Sequence, residues 1–252
     1  MQEGRAPRPA PLRDGGWTLR AHRGRVSTSH LLSWTTRKET DMPRIVCISD
    51  THNRCEGLLM PEGDILVHAG DLTSRGSMAE IDRAAKWLQS MPYEHKVVIA
   101  GNHDFCFQTR PELTRPLMDK YGLIYLQDED LELDGLRFYG SPWQPWFGGW
   151  AFNLQRGKEL AAKWSRIPDT TDVLITHGPP HGKLDTVPGG EKVGCRELQK
   201  ALLRVKPKLH VFGHIHEGYG KAKLGCTQLV NASLCDGRYR PSNRPFVVDL
   251  AT

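Results

Sequence analysis

Short apolar runs that end in polar residues recur along this chain. The runs are three to five residues long and rich in β-branched residues, which is typical of buried strands. Each run leads directly into aspartate, histidine or asparagine. The five predicted strands are Arg44–Ile48, Ile65–His68, Val97–Ile99, Val173–Thr176 and Leu209–Phe212. Because chemistry in open α/β folds collects at the carboxyl ends of strands, the pattern predicts one site assembled from all five ends.

Segments with a helical period lie between these runs. Residues 77–90 carry apolar residues at i, i+3 and i+4 spacing, and Ser77 with Glu80 forms a capping-box signature. The segment Pro111–Tyr121 has proline at its first turn, which favours a second helix. The remaining two predicted helices are Leu154–Trp164 and Val193–Val205. This alternation of strands and helices predicts parallel pairing, helices outside the sheet, and an α/β fold.

The pattern changes to short strands between residues 124 and 141. Asp134 and Gly135 form a hairpin signal there, so a second sheet with more antiparallel pairing is predicted to begin at Ile124. Residues 142–150 hold three of the seven tryptophans in a loop. These rings are expected either to wall a substrate pocket or to cover the core. The last two predicted strands are Thr227–Val230 and Phe246–Leu250.

The 252 residues suffice for a substantial core, and they divide into two predicted parts. Residues 1–41 are rich in Arg, Pro and Gly and lack sustained periodicity, which predicts a disordered basic extension ahead of one domain at 42–252. A transit peptide and a natural start at Met42 are the alternatives for the extension. No run approaches about 18 consecutive apolar residues, and no apolar h-region opens the chain. Neither a membrane span nor a secretory signal is therefore expected.

The net charge of +5 belongs mainly to the extension. Residues 1–41 carry eight Arg or Lys against four acids, whereas the remainder carries 26 against 25. The nearly neutral body argues against a general affinity for nucleic acid. The six cysteines show no C-x-x-C spacing, and Cys47 lies inside a predicted strand. This usage indicates reduced thiols in a cytoplasmic protein.

The predicted strand ends offer a mixed set of oxygen and nitrogen ligands. The candidate residues are Asp50, His52, Asp71, Asn102, His103, His177, His214 and His216. Such a mixture suits Mn, Fe, Ni or Zn better than Ca, which prefers oxygen ligands alone. A lone histidine at a strand end is more often a hydrogen-bonded core residue than a ligand. The hypothesis therefore depends on five motifs taken together: D-x-H, G-D, G-N-H-D, H-G and G-H-x-H.

These motifs, in this order, resemble the calcineurin-like metallophosphoesterase superfamily over roughly residues 44–217. Residues 141–145, 177–180 and 216–220 are similar to the small metallophosphoesterase-domain-containing branch, which resembles class III cyclic nucleotide phosphodiesterases. Some animal members of that branch carry glycine where this chain has His214, so a complete ligand set is expected here. The resemblance implies a four-layer αββα sandwich of two mixed β-sheets flanked by helices.

The resemblance also implies a role for each candidate. Two divalent ions are expected, with Mn the first choice in vitro, and a carboxylate shared between them would offset the repulsion of cations only about 3.5–4 Å apart. The seven expected ligands are Asp50, His52 and His216 on the first ion, Asn102, His177 and His214 on the second, and Asp71 bridging both. His103 is expected to protonate the leaving oxygen or to bind the phosphoryl group. Arg75 matches a phosphate-binding arginine, although a solvated surface arginine is the alternative.

The implied activity is hydrolysis of phosphodiester bonds, with cyclic nucleotides as a candidate, by attack of a metal-activated hydroxide on phosphorus. A phosphomonoesterase acting on a small metabolite and a catalytically weak metal-binding scaffold are the alternatives. This chain departs from one motif of the superfamily. In the Ser/Thr-phosphatase branch the motif G-D-x-x-D-R-G has a second aspartate, which orients the catalytic histidine. Ser74 stands at that position here. His103 is therefore expected to be oriented by another group, such as Asp104, or to be less well tuned.

Overall fold

The computed structural model describes residues 42–251, which contain two large mixed sheets. The predicted disordered extension, residues 1–41, lies outside the described residues, so the domain boundary stays a prediction. The strands of the first sheet, in spatial order, are β13 (Phe246–Asp249), β1 (Arg44–Ile48), β2 (Ile65–Ala69), β3 (His95–Ile99) and β4 (Ile124–Tyr125). Pairing is parallel from β1 to β4, and β13 joins β1 in the antiparallel direction.

The second sheet has a parallel centre and antiparallel edges. Its strands, in spatial order, are β11 (Gly220–Leu224), β12 (Thr227–Asn231), β10 (Leu209–Phe212), β9 (Val173–Thr176), β6 (Leu136–Ser141) and β5 (Glu129–Leu133). Only the edge strands β11 and β5 pair with their neighbours in the antiparallel direction. The predicted antiparallel character of this sheet is therefore right at its edges and wrong at its centre.

Five α-helices and a short 3₁₀ helix accompany the sheets in the described residues. They are α1 (Met78–Gln89), α2 (Phe105–Thr109), α3 (Pro111–Lys120), α4 (Lys158–Trp164), α5 (Arg196–Val205) and the 3₁₀ turn His216–Gly218. The capping box of α1 is confirmed, because the Ser77 side chain accepts from the backbone of Glu80 and the Glu80 carboxylate accepts from the backbone of Ser77. No described helix combines the length and the apolar character needed to cross a bilayer.

Alternation of side chains along the strands produces four layers. In β2, Leu66 packs in a core with α1 and α3, whereas Val67 packs in the core between the sheets. In β9, Leu174 packs with α4 and α5, whereas Ile175 faces the other sheet. Since successive residues of a strand point to opposite faces, each sheet buries both its faces. The order helices, sheet, sheet, helices confirms the αββα sandwich.

Three predicted elements differ from the structure, and one is the helix predicted over Val193–Val205, which begins only at Arg196 after its N-cap Cys195. Ile124–Tyr125 is β4, which pairs with β3 at the edge of the first sheet, so the second sheet begins only at Glu129. The helix predicted from Leu154 begins at Lys158, because Asn153–Leu154 forms a strand, β8, that pairs with β7 (Gln144–Pro145). Gly157 precedes that helix at φ +89°, a conformation that glycine adopts readily and that interrupts any earlier helical turn.

Candidate metal centre

Three overlapping groups of histidine and aspartate lie where the strands of both sheets end. Within each group the potential ligand atoms lie within 4.8 Å of one another. The groups are Asp50, His52 and His216; His52, Asp71 and His103; and Asp71, His177 and His214. Because His52 and Asp71 each belong to two groups, the three form one cluster, called here the histidine–aspartate cluster. Every histidine and aspartate proposed from the sequence as a ligand belongs to it.

The first part of the cluster surrounds Asp50. His216 Nε2 lies 3.3 Å from Asp50 Oδ1, and His52 Nε2 lies 4.0 Å from the same oxygen. The two imidazole Nε2 atoms are 3.4 Å apart. All three residues thus direct a ligand atom into one small volume.

The second part surrounds Asp71. His177 Nε2 lies 3.4 Å from Asp71 Oδ2 and 2.9 Å from the amide oxygen of Asn102. Asp71 Oδ2 is also 3.8 Å from His52 Nε2, which belongs to the first part. The carboxylate of Asp71 therefore lies between the two parts, as a bridging ligand must.

The backbone turns that carry these ligands are conformationally unusual. Asp50, His52, Asp71 and His214 all have positive φ, between 45° and 68°. Non-glycine residues in this region cost on the order of 1–3 kcal/mol each and persist where surrounding contacts hold them. Here the Asp50 N–H donates to the carbonyl of Gly70 at 2.9 Å, and the His52 N–H to the carbonyl of Asp71 at 3.0 Å. The strain is concentrated at the residues that aim the ligands.

Two glycines allow the ligands to approach the neighbouring backbone. A Cβ atom at Gly213 would collide with the carboxylate of Asp50, and one at Gly101 would collide with that of Asp71. Because Gly213 has no Cβ, the Asp50 carboxylate comes close enough to the backbone to accept from the His214 N–H, which lies 3.1 Å from Oδ2. The glycines of the G-H-x-H and G-N-H-D motifs are thus required by close contact with a carboxylate.

Backbone carbonyls hold four rings of the cluster through Nδ1. The pairs are His52 with Thr73 at 3.1 Å, His216 with Asp236 at 2.9 Å, His177 with Ala69 at 2.9 Å and His103 with Ser74 at 2.7 Å. A carbonyl oxygen can only accept, so Nδ1 carries the proton in each ring. In the neutral ring Nε2 is then left with a lone pair directed into the cluster. Metal-binding histidines are oriented in this way by their outer partners.

The cluster passes a simple test of whether it suits cations. With Nδ1 protonated, the facing Nε2 atoms of His52 and His216 are both acceptors, as are His177 Nε2 and the Asn102 oxygen. Acceptors 2.9–3.4 Å apart repel unless a proton or a cation lies between them. Buried imidazole, carboxylate and amide ligands together suit divalent transition metals. The donor set therefore fits a divalent metal centre.

Without a bound ion, protons would take the place of cations in part of the cluster. Burial lowers the pKa of His177, but the charge of Asp71 and a hydrogen bond to it outweigh burial and raise this pKa to about 9. Burial likewise opposes protonation of His216, yet its contact with Asp50 raises the pKa to about 9. Burial lowers the pKa of His214 to about 3. An incoming ion must therefore displace protons from His177 and His216 but not from His214.

The structure corrects the expected partner of His103. Its Nδ1 donates to the backbone carbonyl of Ser74 at 2.7 Å, and the suggestion that Asp104 orients the ring is wrong. Ser74 occupies the position at which the Ser/Thr-phosphatase branch has an orienting aspartate. Its main chain supplies the acceptor that the side chain of that aspartate supplies there. The Ser74 hydroxyl meanwhile donates to the carbonyl of His52 at 2.9 Å.

Asp104 has a structural task instead. Its fully buried carboxylate accepts from the N–H groups of Gly101, Leu72 and Thr73, and from the Thr73 hydroxyl at 2.7 Å. Burial and the nearby charge of Asp71 raise its pKa to about 6. These bonds join the turn after β2 to the turn after β3, which carry Asp71 and Asn102.

A cavity of about 180 Å³ opens over the cluster. Its lining comprises Asp71, Asn102, His103, Phe147, Trp150, His214, His216, Glu217, Gly237 and Tyr239. The Trp150 ring lies 4.3 Å from the His103 ring, and the Tyr239 ring lies 4.9 Å from that of His52. In the described part of the chain, no lysine or arginine lines this cavity. Aromatic rings and one glutamate therefore form the walls around the ligands.

Both readings of the tryptophan loop hold, for different residues. Trp150 lines the cavity, whereas Trp143 packs against Phe152 and donates to Asp128 at 2.9 Å, inside the fold. Arg75 is exposed and is not among the residues that line the cavity. Its substrate-binding role stays a prediction, with the solvated alternative still open.

Sequence reasoning did not identify several residues that border the site. The Ser233 hydroxyl lies 2.9 Å from Asp50 Oδ2, and Tyr239 and Glu217 line the cavity. Glu217 directly follows His216 in the sequence, which was the one available signal. Nothing local marks Ser233 or Tyr239, because the chain brings them to the site only through the packing of its C-terminal segment.

Comparison with known proteins agrees with this geometry. A family model described as calcineurin-like phosphoesterase matches residues 43–218. Human metallophosphoesterase domain-containing protein 1 is 48% identical over 232 residues, which cover 83% of this chain and 71% of that protein. A UPF0046 protein of Caenorhabditis elegans is 37% identical over 263 residues, covering 93% of this chain and 66% of the relative.

A solved structure shows the same fold at low sequence identity. Phosphopantetheinyl hydrolase (PptH) from Mycobacterium tuberculosis superposes with a TM-score of 0.58 at 16% identity, over 83% of this chain and 96% of that one. The family match spans more than half of the present chain and includes every strand that carries a predicted ligand. The chain therefore belongs to the calcineurin-like phosphoesterase family, in the branch of the metallophosphoesterase domain-containing proteins.

Proposed function

We propose that this metallophosphoesterase hydrolyses small phosphate diesters, with cyclic nucleotides as the first substrate class to test. The observation that carries the proposal is the composition of the cavity wall. Asp71, Asn102 and three histidines line the cavity, and no lysine or arginine from residues 42–251 lines it. A site for dianionic monoesters would gain from such cations, whereas a monoanionic diester has less need of them.

A charge count supports the same preference. Two divalent ions contribute +4, the carboxylates of Asp50 and Asp71 remove two charges, and an attacking hydroxide removes one more. The neutral imidazoles and the amide of Asn102 remove none. The centre then keeps about +1, which matches the single negative charge of a diester.

The assignment of ligands follows the two parts of the histidine–aspartate cluster. Asp50, His52 and His216 would hold the first ion, Asn102, His177 and His214 the second, and Asp71 would bridge them. Divalent ions bound there would acidify water and polarise the phosphoryl oxygens. The carbonyl partners of Nδ1 would keep the Nε2 lone pairs of His52, His216 and His177 directed at the ions.

His103 is the residue proposed to move a proton. Its ring lines the cavity, its Nδ1 is committed to the Ser74 carbonyl, and its Nε2 lies 4.0 Å from Asp71 Oδ2. Only the imidazolium form, in which Nε2 also carries a proton, would donate from Nε2 to the leaving oxygen, and the ring would then return to its neutral form. Trp150 packs against the same ring and restricts its rotation.

The aromatic walls support a substrate with a flat or apolar ester group. Phe147 and Trp150 have nearly parallel rings, 6.2 Å apart at their centroids, and Tyr239 lies on the side of His52 and His216. Such rings can stack on a nucleobase or pack against an aryl ester.

A small-molecule partner and a cytoplasmic location remain part of the proposal.

The test compares hydrolysis of bis(p-nitrophenyl) phosphate with that of p-nitrophenyl phosphate by the Mn-loaded protein, followed by a panel of cyclic nucleotides. Metal content of the same samples is measured by mass spectrometry. We expect two ions per chain and a higher kcat/KM for the diester. The variant His103→Ala should keep both ions and lose most of the turnover.

Two outcomes would contradict the proposal. A higher kcat/KM for the monoester would favour the phosphomonoesterase alternative. Two bound ions with no hydrolysis of any ester would favour the metal-binding scaffold. Full turnover by His103→Ala would remove the role given to that histidine.

A further inference from the structure

One carboxylate in the cavity has no hydrogen-bonding or ionic partner within residues 42–251, and it has no role in the proposed chemistry. Glu217 lines the cavity beside the metal ligand His216. Among the described residues, none forms a hydrogen bond or an ion pair with its side chain. Its negative charge is therefore not neutralised by protein, although it borders a site for anions.

The position of this carboxylate is built into the fold. Glu217 lies in the 3₁₀ turn His216–Gly218, where the Gly218 N–H donates to the carbonyl of Ile215 at 2.9 Å. Across the cavity edge lies Gly237, at which a Cβ atom would come within 2.7 Å of Glu217 Oε1. The ring of His216 joins the two segments, since its Nδ1 donates to the carbonyl of Asp236 at 2.9 Å. The glycine leaves room for the carboxylate next to the ligand.

The negative charge of Glu217 repels an anionic ligand that enters the cavity. A ligand with two negative charges is repelled by it twice as strongly as a ligand with one. The other acids near the cavity, Asp50 and Asp71, are buried and face histidines. Among the described lining residues, no lysine or arginine offsets the repulsion. Glu217 is the acid that an entering anion meets with its charge uncompensated.

We propose that Glu217 is a specificity-determining residue that discriminates against dianionic phosphate monoesters. The inference rests on the proposed diesterase function and deepens it, because it names the residue that rejects the competing substrate class. Glu217 acts by its charge and takes no part in bond breaking. A like-charge contact in partly solvated surroundings corresponds to roughly a tenfold effect per charge on the substrate.

The experiment measures kcat/KM for bis(p-nitrophenyl) phosphate and p-nitrophenyl phosphate with the Mn-loaded full chain. Glu217→Gln removes the charge and keeps the shape, and Glu191→Gln makes the same change at an exposed position outside the cavity. We expect Glu217→Gln to lower the diester-to-monoester ratio about tenfold. The control should keep the wild-type ratio. Added salt should reduce the discrimination of the wild type and leave that of Glu217→Gln nearly constant.

A second variant separates charge from shape. Gly237→Ala displaces the Glu217 carboxylate without removing it. In a protein that keeps Glu217, this substitution should therefore change the diester-to-monoester ratio of kcat/KM. In Glu217→Gln the same substitution should change both substrates equally. The inference would be overturned by a Glu217→Gln protein with the wild-type diester-to-monoester ratio, or by a Gly237→Ala substitution that changes both substrates equally in the wild-type background.

Inorganic phosphate binding keeps this test independent of the proposed function. Calorimetry on the Mn-loaded proteins should show about a hundredfold tighter binding of phosphate, which is mainly a dianion at pH 8, to Glu217→Gln than to wild type. Equal affinities would overturn the inference even if diester hydrolysis is found. Absence of diesterase activity together with tighter phosphate binding would contradict the proposed function and retain the role of Glu217.

Discussion

The first sheet carries every oxygen ligand proposed for the site, whereas the second sheet contributes only histidines. Asp50, Asp71 and Asn102 follow β1, β2 and β3 of the first sheet. The histidines of the second sheet follow β9 and β10, and two of them face the carboxylates directly, His177 at Asp71 and His216 at Asp50. Each proposed ion thus needs groups from both sheets. The site is a property of how the sheets are packed together.

This division has an electrostatic consequence. Two buried carboxylates at one edge of a single sheet would repel each other and lose their hydration. Histidines from the other sheet offset both costs, by protonation when no ion is present and by sharing an ion when one is. The Asp–His contacts therefore join the sheets at the edge that holds the site. Five predictions probe this dependence, beginning with the largest expected effect.

Removing the carboxylate of Asp71, which both proposed ions share, should weaken the binding of each ion and lower turnover. We expect Asp71→Asn to lower kcat/KM for a diester by at least about a thousandfold, since several kcal/mol of charge stabilisation is lost. Metal analysis should find fewer than two ions per chain. The control is Asp185→Asn, because Asp185 is also buried but accepts from the N–H groups of Gly182 and Gly194. The control should keep both ions and turn over the diester. An Asp71→Asn protein with two ions and normal turnover would refute the bridging role.

Metal binding should depend steeply on pH. The pKa values of His177 and His216 are raised to about 9, so each ion displaces a proton below that pH. Apparent affinity for each ion should rise about tenfold per pH unit up to about pH 9 and then level off. Calorimetry in buffers of different ionisation enthalpy would count the released protons. Affinity that is flat between pH 6 and 9 would contradict the protonated Asp–His contacts.

The same pKa values predict the stability of the metal-free protein. A histidine pKa that folding raises from 6.5 to about 9 stabilises the fold fully below pH 6.5, and this contribution is lost as pH rises through 9. Urea unfolding of the metal-free protein should therefore show a lower free energy at pH 9 than at pH 6.5. Excess Mn should remove or reverse this trend.

Two neighbouring positions of β9 can show whether the packing between the sheets affects metal binding as well as stability. Leu174 and Ile175 are both fully buried, but only Ile175 lies between the sheets. Replacing either by alanine should cost about 2–5 kcal/mol in the free energy of unfolding. Only Ile175→Ala should also weaken Mn binding, by about tenfold, because it loosens the packing that positions the facing ligands. Equal Mn affinities in the two variants would show that sheet packing does not tune the site.

The smallest effect is expected at Ser74. Its backbone carbonyl, which orients His103, is unchanged in Ser74→Ala, and only the hydroxyl bond to the His52 carbonyl is lost. Loss of one such bond costs about 1 kcal/mol of stability. Turnover should stay within about threefold of wild type. A loss as large as that of His103→Ala would mean that the side chain orients the ring.

The sequence was informative wherever the relevant physics is local. Strand periodicity and the capping box located β1, β2, β9, β10 and α1 correctly, because each depends on residues close in the chain. The polar residues after the strands could be selected as ligands from their chemistry alone. Short elements were missed or misplaced, among them α2, β8 and β11, since two to five residues carry too little pattern to compete with tertiary contacts.

Only the tertiary structure decided which groups meet. The chain by itself specified an α/β protein whose strand ends carry aspartate, asparagine and histidine. It could not specify that Ser74 supplies a carbonyl to His103, or that Tyr239 borders the cavity. Backbone carbonyls are present at every residue, so no side-chain pattern marks the one that orients a ring. Contacts between distant segments arise from the packing of the two sheets and the C-terminal segment, which is non-local and leaves no signal within any single stretch of sequence.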